Sequence, residues 1–132
     1  CEQRGRRLCS AEELQLACSG ATGNSYPYGS TYQATACNGL DYSVTAGTQS
    51  RALPAGTLST CVSTGQILDL TGNVAEWSST RTNDLAESPG IFEVRGGSFE
   101  SPAGGLLCAF DFPRLPAPAL TPTVGFRCCK AP

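Results

Sequence analysis

The sequence lacks histidine and methionine altogether, and its 132 residues include only 9 Lys and Arg and 11 Asp and Glu. Without histidine, a Ser-His-Asp triad and every mixed Cys/His zinc site are excluded. The net charge of −2 provides no strong basic footprint, so we expect no nucleic-acid partner. No apolar run approaches the length of a membrane-spanning helix, so we expect no transmembrane segment.

Cysteine, glycine and proline are instead plentiful, with 8, 15 and 9 residues. An even number of cysteines with no Cys-x-x-Cys pair favours disulfides over metal binding through thiolates. Disulfides persist outside the reducing cytosol, so we expect a secreted, periplasmic or cell-surface protein. The length predicts a single domain over residues 1–132. The start at Cys1 also leads us to expect a mature or trimmed part of a longer precursor.

One helix has clear local signals. Ser10 and Glu13 have the spacing of a capping box, and apolar residues follow at helical intervals, which predicts a short helix over 11–19. Residues 20–60 are rich in Gly, Ser, Thr, Asn and Tyr and are predicted to be mostly loop, which is the composition of adaptable binding loops. The alternative is that these loop residues pack on the surface of the domain itself.

Two strands are predicted in the second half of the chain. Residues 92–95 alternate between apolar and charged, and residues 124–129 form a closing strand after a Pro-rich loop over 112–123. Because side chains alternate across a strand, the adjacent Cys128 and Cys129 would point to opposite sides and reach different partners.

The segment Asp69-x-x-Gly72-x-Val74-x-Glu76 combines carboxylates with a glycine turn. Calcium prefers six to eight oxygen ligands from carboxylates, carbonyls and water, and a glycine lets the backbone turn its carbonyls inward. The alternative is an ordinary turn in which Asp69 caps backbone amides and Glu76 lies on the surface. The spacing alone favours the ordinary turn, since a carboxylate is more often a cap than a metal ligand. The sole Trp, Trp77, follows directly, and we expect it to pack in the core rather than to stack on carbohydrate.

A series of motifs resembles the sulfatase-modifying factor family, the formylglycine-generating enzyme domain. They are GRRLCSAEE at 5–13, YPYG at 26–29, CNG at 37–39, DLTGNVAEW at 69–77, VRGGSF at 94–99 and GFRC at 125–128. The resemblance implies a C-type-lectin-like α+β fold that is loop-rich, with a short helix near the N-terminus, small antiparallel strands and several disulfides. It covers the later part of the usual family domain, whose opening strands and helix have no counterpart here.

The same resemblance implies a structural calcium ion. By position, its ligands are the side chains of Asp69 and Glu76 and the carbonyl oxygens of Gly72 and Val74, and this reverses the preference that spacing alone gave. A second family calcium site begins at residues that resemble Asn38 and Gly39. Its later acidic ligand has no clear match before Pro54.

Disulfide pairings also follow in part from the resemblance, which implies Cys1–Cys128 and Cys18–Cys108. The cysteines Cys9 and Cys129 have no counterparts in the family oxidases. Because Cys129 follows Cys128 directly and Cys9 is near Cys1 in the sequence, a Cys9–Cys129 bridge is plausible. Cys37–Cys61 then remains as the fourth pair.

The family's chemistry depends on residues that this chain does not have. Its oxidases carry a pair of reactive cysteines just after the G-G-S-aromatic motif, where residues 100–107 contain no cysteine, and a related branch holds iron with three histidines. Without a thiolate there is neither a soft copper ligand nor a nucleophile, so we expect no copper, no iron and no enzymatic activity.

The sequence thus favours a calcium-stabilised, disulfide-bonded extracellular module. We expect it to bind an unidentified protein or glycan through the loops at 20–60 and 100–123, or to assemble with another segment or chain that completes the domain. One alternative is a divergent formylglycine-generating oxidase that acts on a protein cysteine through another of its thiols. Another is a purely structural domain with no ligand but calcium.

Overall fold

The fold combines short helices with small sheets. The computed structural model describes residues 1–82, 90–111, 114–117 and 119–130. Its helices are α1 Ala11–Ser19 and α2 Leu40–Ala46, with 3₁₀ turns at Glu2–Arg4 and Ala103–Leu106. Its strands are β1 Arg7–Leu8, β2 Ala75–Arg81, β3 Ile91–Arg95, β4 Arg114–Pro116, β5 Val124–Phe126 and β6 Cys128–Cys129. The predicted α+β class is confirmed.

Helix α1 begins and ends where its sequence signals predict. Ser10 Oγ accepts a hydrogen bond from the Glu13 amide at 3.1 Å, and Glu13 Oε2 accepts one from the Ser10 amide at 2.8 Å. Leu14 and Cys18 are buried on one face of the helix, and Gly20 ends it. Cys18 contacts Leu70 and Cys108 in the hydrophobic core, so the helix packs its apolar stripe inward.

The larger sheet has the strand order β4-β3-β2-β5. Strands β2 and β5 are parallel, with Trp77 opposite Phe126, whereas the other pairs in this sheet are antiparallel. Strands β1 and β6 form a separate two-stranded sheet. The prediction of one continuous strand over 124–129 is therefore wrong: the strand breaks at Arg127, and its two parts pair in different sheets.

Two elements lie where loops were predicted. Helix α2 interrupts the 20–60 segment between Gly39 and a left-handed Gly47, and β4 lies within the Pro-rich segment 112–123, of which residues 112, 113 and 118 are outside the described residues. Residues with weak helix propensity make up much of α2, which has only seven positions, so its sequence signal is faint.

Four disulfides join distant parts of the chain, and they are the four pairs expected from the sequence: Cys1–Cys128, Cys9–Cys129, Cys18–Cys108 and Cys37–Cys61. Two of these bridges tie the start of the chain to β6, and another joins α1 to the 100–111 segment across the core. Each typically stabilises a fold by about 2–4 kcal/mol, which matters in a small domain with long irregular segments.

Candidate functional site

The loop before β2 is tightly coiled. Asp69, Gly72 and Asn73 all have positive φ angles, of 55°, 72° and 62°. At Gly72 an added Cβ would lie 2.7 Å from the carbonyl oxygen of Asn38, so only glycine fits against the backbone of the loop at Asn38. The backbone of the segment between Asp69 and Glu76 therefore turns sharply and packs against the backbone at Asn38.

The oxygen atoms of the loop are only partly engaged. Asp69 Oδ2 accepts a hydrogen bond from the Gly56 amide at 2.6 Å, which is the capping role of the ordinary-turn interpretation. Within the described part of the chain, the carbonyl oxygens of Gly72 and Val74 accept no hydrogen bond. Glu76 is buried, with 8% of its surface exposed, so the expectation of a surface carboxylate at this position is wrong.

Arg127 is the charged partner of Glu76. Its Nε and Nη2 atoms lie 3.1 and 2.9 Å from the carboxylate oxygens, and Nη2 also donates to the carbonyl of Leu68 at 2.9 Å. Burial raises the pKa of Glu76, Arg127 opposes that rise, and the negative charge of Asp69 adds to it. The carboxylates of Asp69 and Glu76 therefore repel each other electrostatically. The Arg127 guanidinium, from the residue between β5 and β6, bonds the loop at Leu68 and Glu76.

The oxygen atoms of the Asp69–Glu76 loop can be compared with the ligands that calcium prefers. The expected ligand atoms are all oxygen, which suits a hard cation. A surface pocket of about 550 Å³ is lined by Asp69, Val74, Glu76 and Arg127, whereas Gly72 is not part of its lining. The described residues contain no group of three or more His, Cys, Asp or Glu side chains that could hold a metal, so water must complete the coordination. The loop fits calcium in the kind of donor, with Arg127 as a competitor for Glu76.

The residues of the second expected calcium site make other contacts. Asn38 Nδ2 donates to the Arg51 carbonyl at 2.9 Å and to Asn73 Oδ1 at 3.0 Å. The Gly39 carbonyl accepts from the Tyr42 amide at 3.2 Å as α2 begins. In the structure these two residues link loops to one another.

Asn73 is a central residue that the sequence reasoning missed. Its Oδ1 accepts from the Leu53 amide at 2.7 Å, and its Nδ2 donates to the Leu53 carbonyl at 3.0 Å. Its own amide donates to the Asn38 carbonyl at 2.7 Å, and its carbonyl accepts from the Phe99 amide at 2.9 Å. Its side chain thus links the segments at Leu53 and Asn38, and its backbone amide and carbonyl join Asn38 and Phe99. The sequence signal was an Asn after Gly in a turn, a residue that tolerates positive φ.

A separate pocket of about 510 Å³ lies at the G-G-S motif, where Ser98, Glu100, Ser101, Phe110 and Thr123 line it. No thiol contributes to this pocket, because every cysteine of the chain is in a disulfide. Residues of the predicted 100–123 binding segment therefore form a hollow next to β5.

The tyrosine-rich loop adjoins this region. Tyr26 donates from its hydroxyl to the Ala103 carbonyl at 3.4 Å and stacks on Tyr28 with ring centroids 5.5 Å apart. Tyr32 donates to Asp41 at 2.8 Å, and burial together with that bond raises the pKa of its phenol. These rings pack on one another and on the domain, as the alternative interpretation of the loop expected.

Comparisons with known proteins agree with this fold. The family model described as "Sulfatase-modifying factor enzyme 1-like domain" matches residues 1–132. The chain is similar to the crystal structure of CarF, with 23% identity, a TM-score of 0.71, and coverage of 93% of this chain and 46% of that one. It is also similar to Treponema denticola variable protein 1, with 20% identity, a TM-score of 0.78, and coverage of 96% and 48%. No curated protein matches the sequence. The chain thus spans about half the length of these two solved structures.

Proposed function

The chain belongs to the sulfatase-modifying factor family, and we propose that it is a non-catalytic, calcium-stabilised extracellular module that binds a partner or takes part in an assembly. The fold and the disulfides are features of the structure. No helix among the described residues is long and apolar enough to cross a membrane. The absence of enzymatic activity, the calcium ion and the extracellular location are parts of the proposal.

The observation that carries the non-catalytic function is the engagement of all eight cysteines in four disulfides. A thiol-based oxidase needs a thiolate beside its substrate, and the pocket at the G-G-S motif offers serine, glutamate and aromatic side chains instead. We propose that this pocket and the adjoining tyrosine loop contact a protein or glycan partner.

The non-catalytic proposal is tested by alkylating the denatured, unreduced protein and measuring its intact mass. The expected result is no added alkyl group, because each thiol is oxidised. Two or more added groups per chain would contradict it and favour the divergent oxidase, and copper binding would then be measured.

In the calcium proposal, Asp69 and Glu76 provide carboxylate oxygens, Gly72 and Val74 provide carbonyl oxygens, and water completes the shell. The ion would neutralise the carboxylates and hold the coiled loop against β2. Since Glu76 already has a cationic partner, we expect weak affinity, with a dissociation constant of about 10⁻⁴–10⁻³ M, the range of extracellular calcium modules. Asn38 and Gly39 are left out of the proposed site because both serve the hydrogen bonds of the fold.

Thermal unfolding in calcium and in chelator tests this site. The unmodified chain should melt at a higher temperature in calcium, and Asp69→Ala should abolish the difference. Asp41→Ala is a matched control, because Asp41 is a half-buried carboxylate on α2 that accepts a hydrogen bond from Tyr32 and lies outside the proposed site, so this variant should keep the calcium response. Identical melting of the unmodified chain in both buffers would overturn the calcium proposal.

A further inference from the structure

A groove of about 660 Å³ runs between the start of the chain and the larger sheet. Trp77 and Phe126 line it, and Glu2, Gln3 and Ser79 are polar residues of the same lining. None of the proposed calcium ligands and none of the residues at the G-G-S pocket lines it. This groove adjoins the pocket over the Asp69–Glu76 loop at Phe126, which lines both, but it contains none of the proposed calcium ligands.

The two aromatic residues are neighbours because of the sheet topology. Trp77 and Phe126 are paired in the parallel β2–β5 ladder, so their side chains point to the same face of the sheet about 4.8 Å apart along the hydrogen-bonding direction. Phe126 is 64% exposed and Trp77 is half-buried, which contradicts the expectation that Trp77 lies in the core. The result is an aromatic surface that the described elements leave open.

The polar groups around this surface determine what it can bind. The indole Nε1–H of Trp77 has no acceptor among the described residues, and Gln3 is exposed. The nearby cation, Arg7, is neutralised by a two-pronged ion pair with Glu13 at 2.6 and 2.7 Å. A ligand here would meet aromatic rings, the carboxylate of Glu2 and uncharged hydrogen-bonding groups, while the cationic side chain of the lining, Arg7, is already paired.

The walls of the groove are held in place before any ligand arrives. Cys1 is bridged to Cys128, and β1 pairs with β6, which fixes the N-terminal wall beside β5. A preformed site loses less conformational entropy on binding. The groove volume also lies within the range of about 300–1,000 Å³ that is typical of small-ligand sites lined by aromatic residues and a few polar groups.

We infer that this groove binds a neutral saccharide, with a pyranose ring stacked on Trp77 and Phe126. The apolar C–H face of a sugar ring complements the negative face of an aromatic ring. Its hydroxyl groups can accept from the indole N–H and exchange hydrogen bonds with Gln3, Glu2 and Ser79. An anionic ligand would meet the Glu2 carboxylate and an arginine that is already paired, and a purely apolar segment would leave the indole N–H without a partner.

The single Trp of the chain makes this proposal directly measurable, since all tryptophan fluorescence comes from the groove. The probes are methyl glycosides and disaccharides of glucose, galactose, mannose and N-acetylglucosamine. We expect one or more of them to shift the Trp77 emission saturably, with a dissociation constant in about the millimolar range because a small ligand makes few contacts. The shift should persist in chelator, which separates this inference from the calcium proposal.

Variants that keep the reporter complete the test. Phe126→Ala should weaken binding by about tenfold, and Gln3→Ala by about threefold through the loss of one hydrogen bond. Leu120→Ala removes an apolar side chain that is 98% exposed and lies outside the groove, so it should leave binding unchanged.

Three outcomes would overturn the inference. The first is that no saccharide changes the emission, and the second is that Phe126→Ala and Gln3→Ala both leave binding unchanged. The third is a concentration-dependent blue shift with a dimer mass in light scattering, both removed by Phe126→Ala, since a second copy of the chain would then occupy the groove.

Discussion

Replacing Asn73 with alanine should destabilise this domain severely, although Asn73 contacts no proposed ligand. The side chain is buried, with 8% of the residue exposed, and it makes hydrogen bonds of 2.7 and 3.0 Å to the backbone of Leu53. A further bond of 3.0 Å joins it to Asn38. The backbone has a φ of 62°, a conformation that asparagine tolerates better than alanine.

The expected cost follows from these contacts. Each lost hydrogen bond contributes about 1 kcal/mol net, and the left-handed backbone adds about 1–2 kcal/mol for a residue with a Cβ and no compensating side chain. Leu53 is half-buried, so water can satisfy part of its exposed backbone. We therefore expect Asn73→Ala to lower the free energy of unfolding by about 3–5 kcal/mol, against a typical total of about 5–15 kcal/mol.

Guanidinium chloride unfolding, followed by Trp77 fluorescence with the disulfides intact and in chelator, measures this loss without any calcium contribution. Asn73→Gly separates the two causes, because glycine accepts the positive φ and removes only the hydrogen bonds; it should be about 1 kcal/mol less destabilising than alanine. Asn24→Ala is the matched control, since the Asn24 side chain makes one bond, to Thr22, in an exposed turn. If Asn73→Ala cost no more than Asn24→Ala, the linking role of Asn73 would be refuted.

Two further predictions concern a surface pair and a close backbone approach. The hydrogen bond from Arg7 holds the pKa of Glu13 at about 2, so Arg7→Gln should raise the Glu13 pKa toward its ordinary 4.5 in an NMR titration, and an unchanged value would contradict the pairing. At Gly96, with a φ of 89°, an added Cβ would lie 2.6 Å from the Leu70 carbonyl, so Gly96→Ala should lower the free energy of unfolding by about 2–4 kcal/mol. Gly104→Ala, where an added Cβ meets nothing within 4 Å, should be nearly neutral in the same denaturant assay.

Local signals predicted local structure well. The capping box at Ser10 and Glu13 gave the start of α1, because a helix start depends on residues three positions apart, and Gly20 marks its end. Helix α2 has no capping side chain at its Gly39 start, and its sequence offered nothing equivalent to recognise. The break of the closing strand at Arg127 was equally hidden, since it results from that side chain turning toward Glu76 and Leu68.

The features of the sites that could not be predicted from the sequence are contacts between residues far apart in the chain. The motif around Asp69 predicts calcium ligands, but only the fold shows that Arg127, near the end of the sequence, already binds Glu76. The hydrogen bonds of Asn73 to Leu53, Asn38 and Phe99 were missed for the same reason.

The partial exposure of Trp77 in the aromatic groove could not be predicted from the sequence. A lone Trp next to a glycine turn is reasonably expected in a core, because most large aromatic residues are largely buried. The parallel pairing of β2 with β5 places Phe126, which is 64% exposed, directly beside Trp77. An aromatic pair on a sheet face, bordered by polar side chains and fixed by a disulfide, then becomes a site whose occupant the fluorescence of one residue can report.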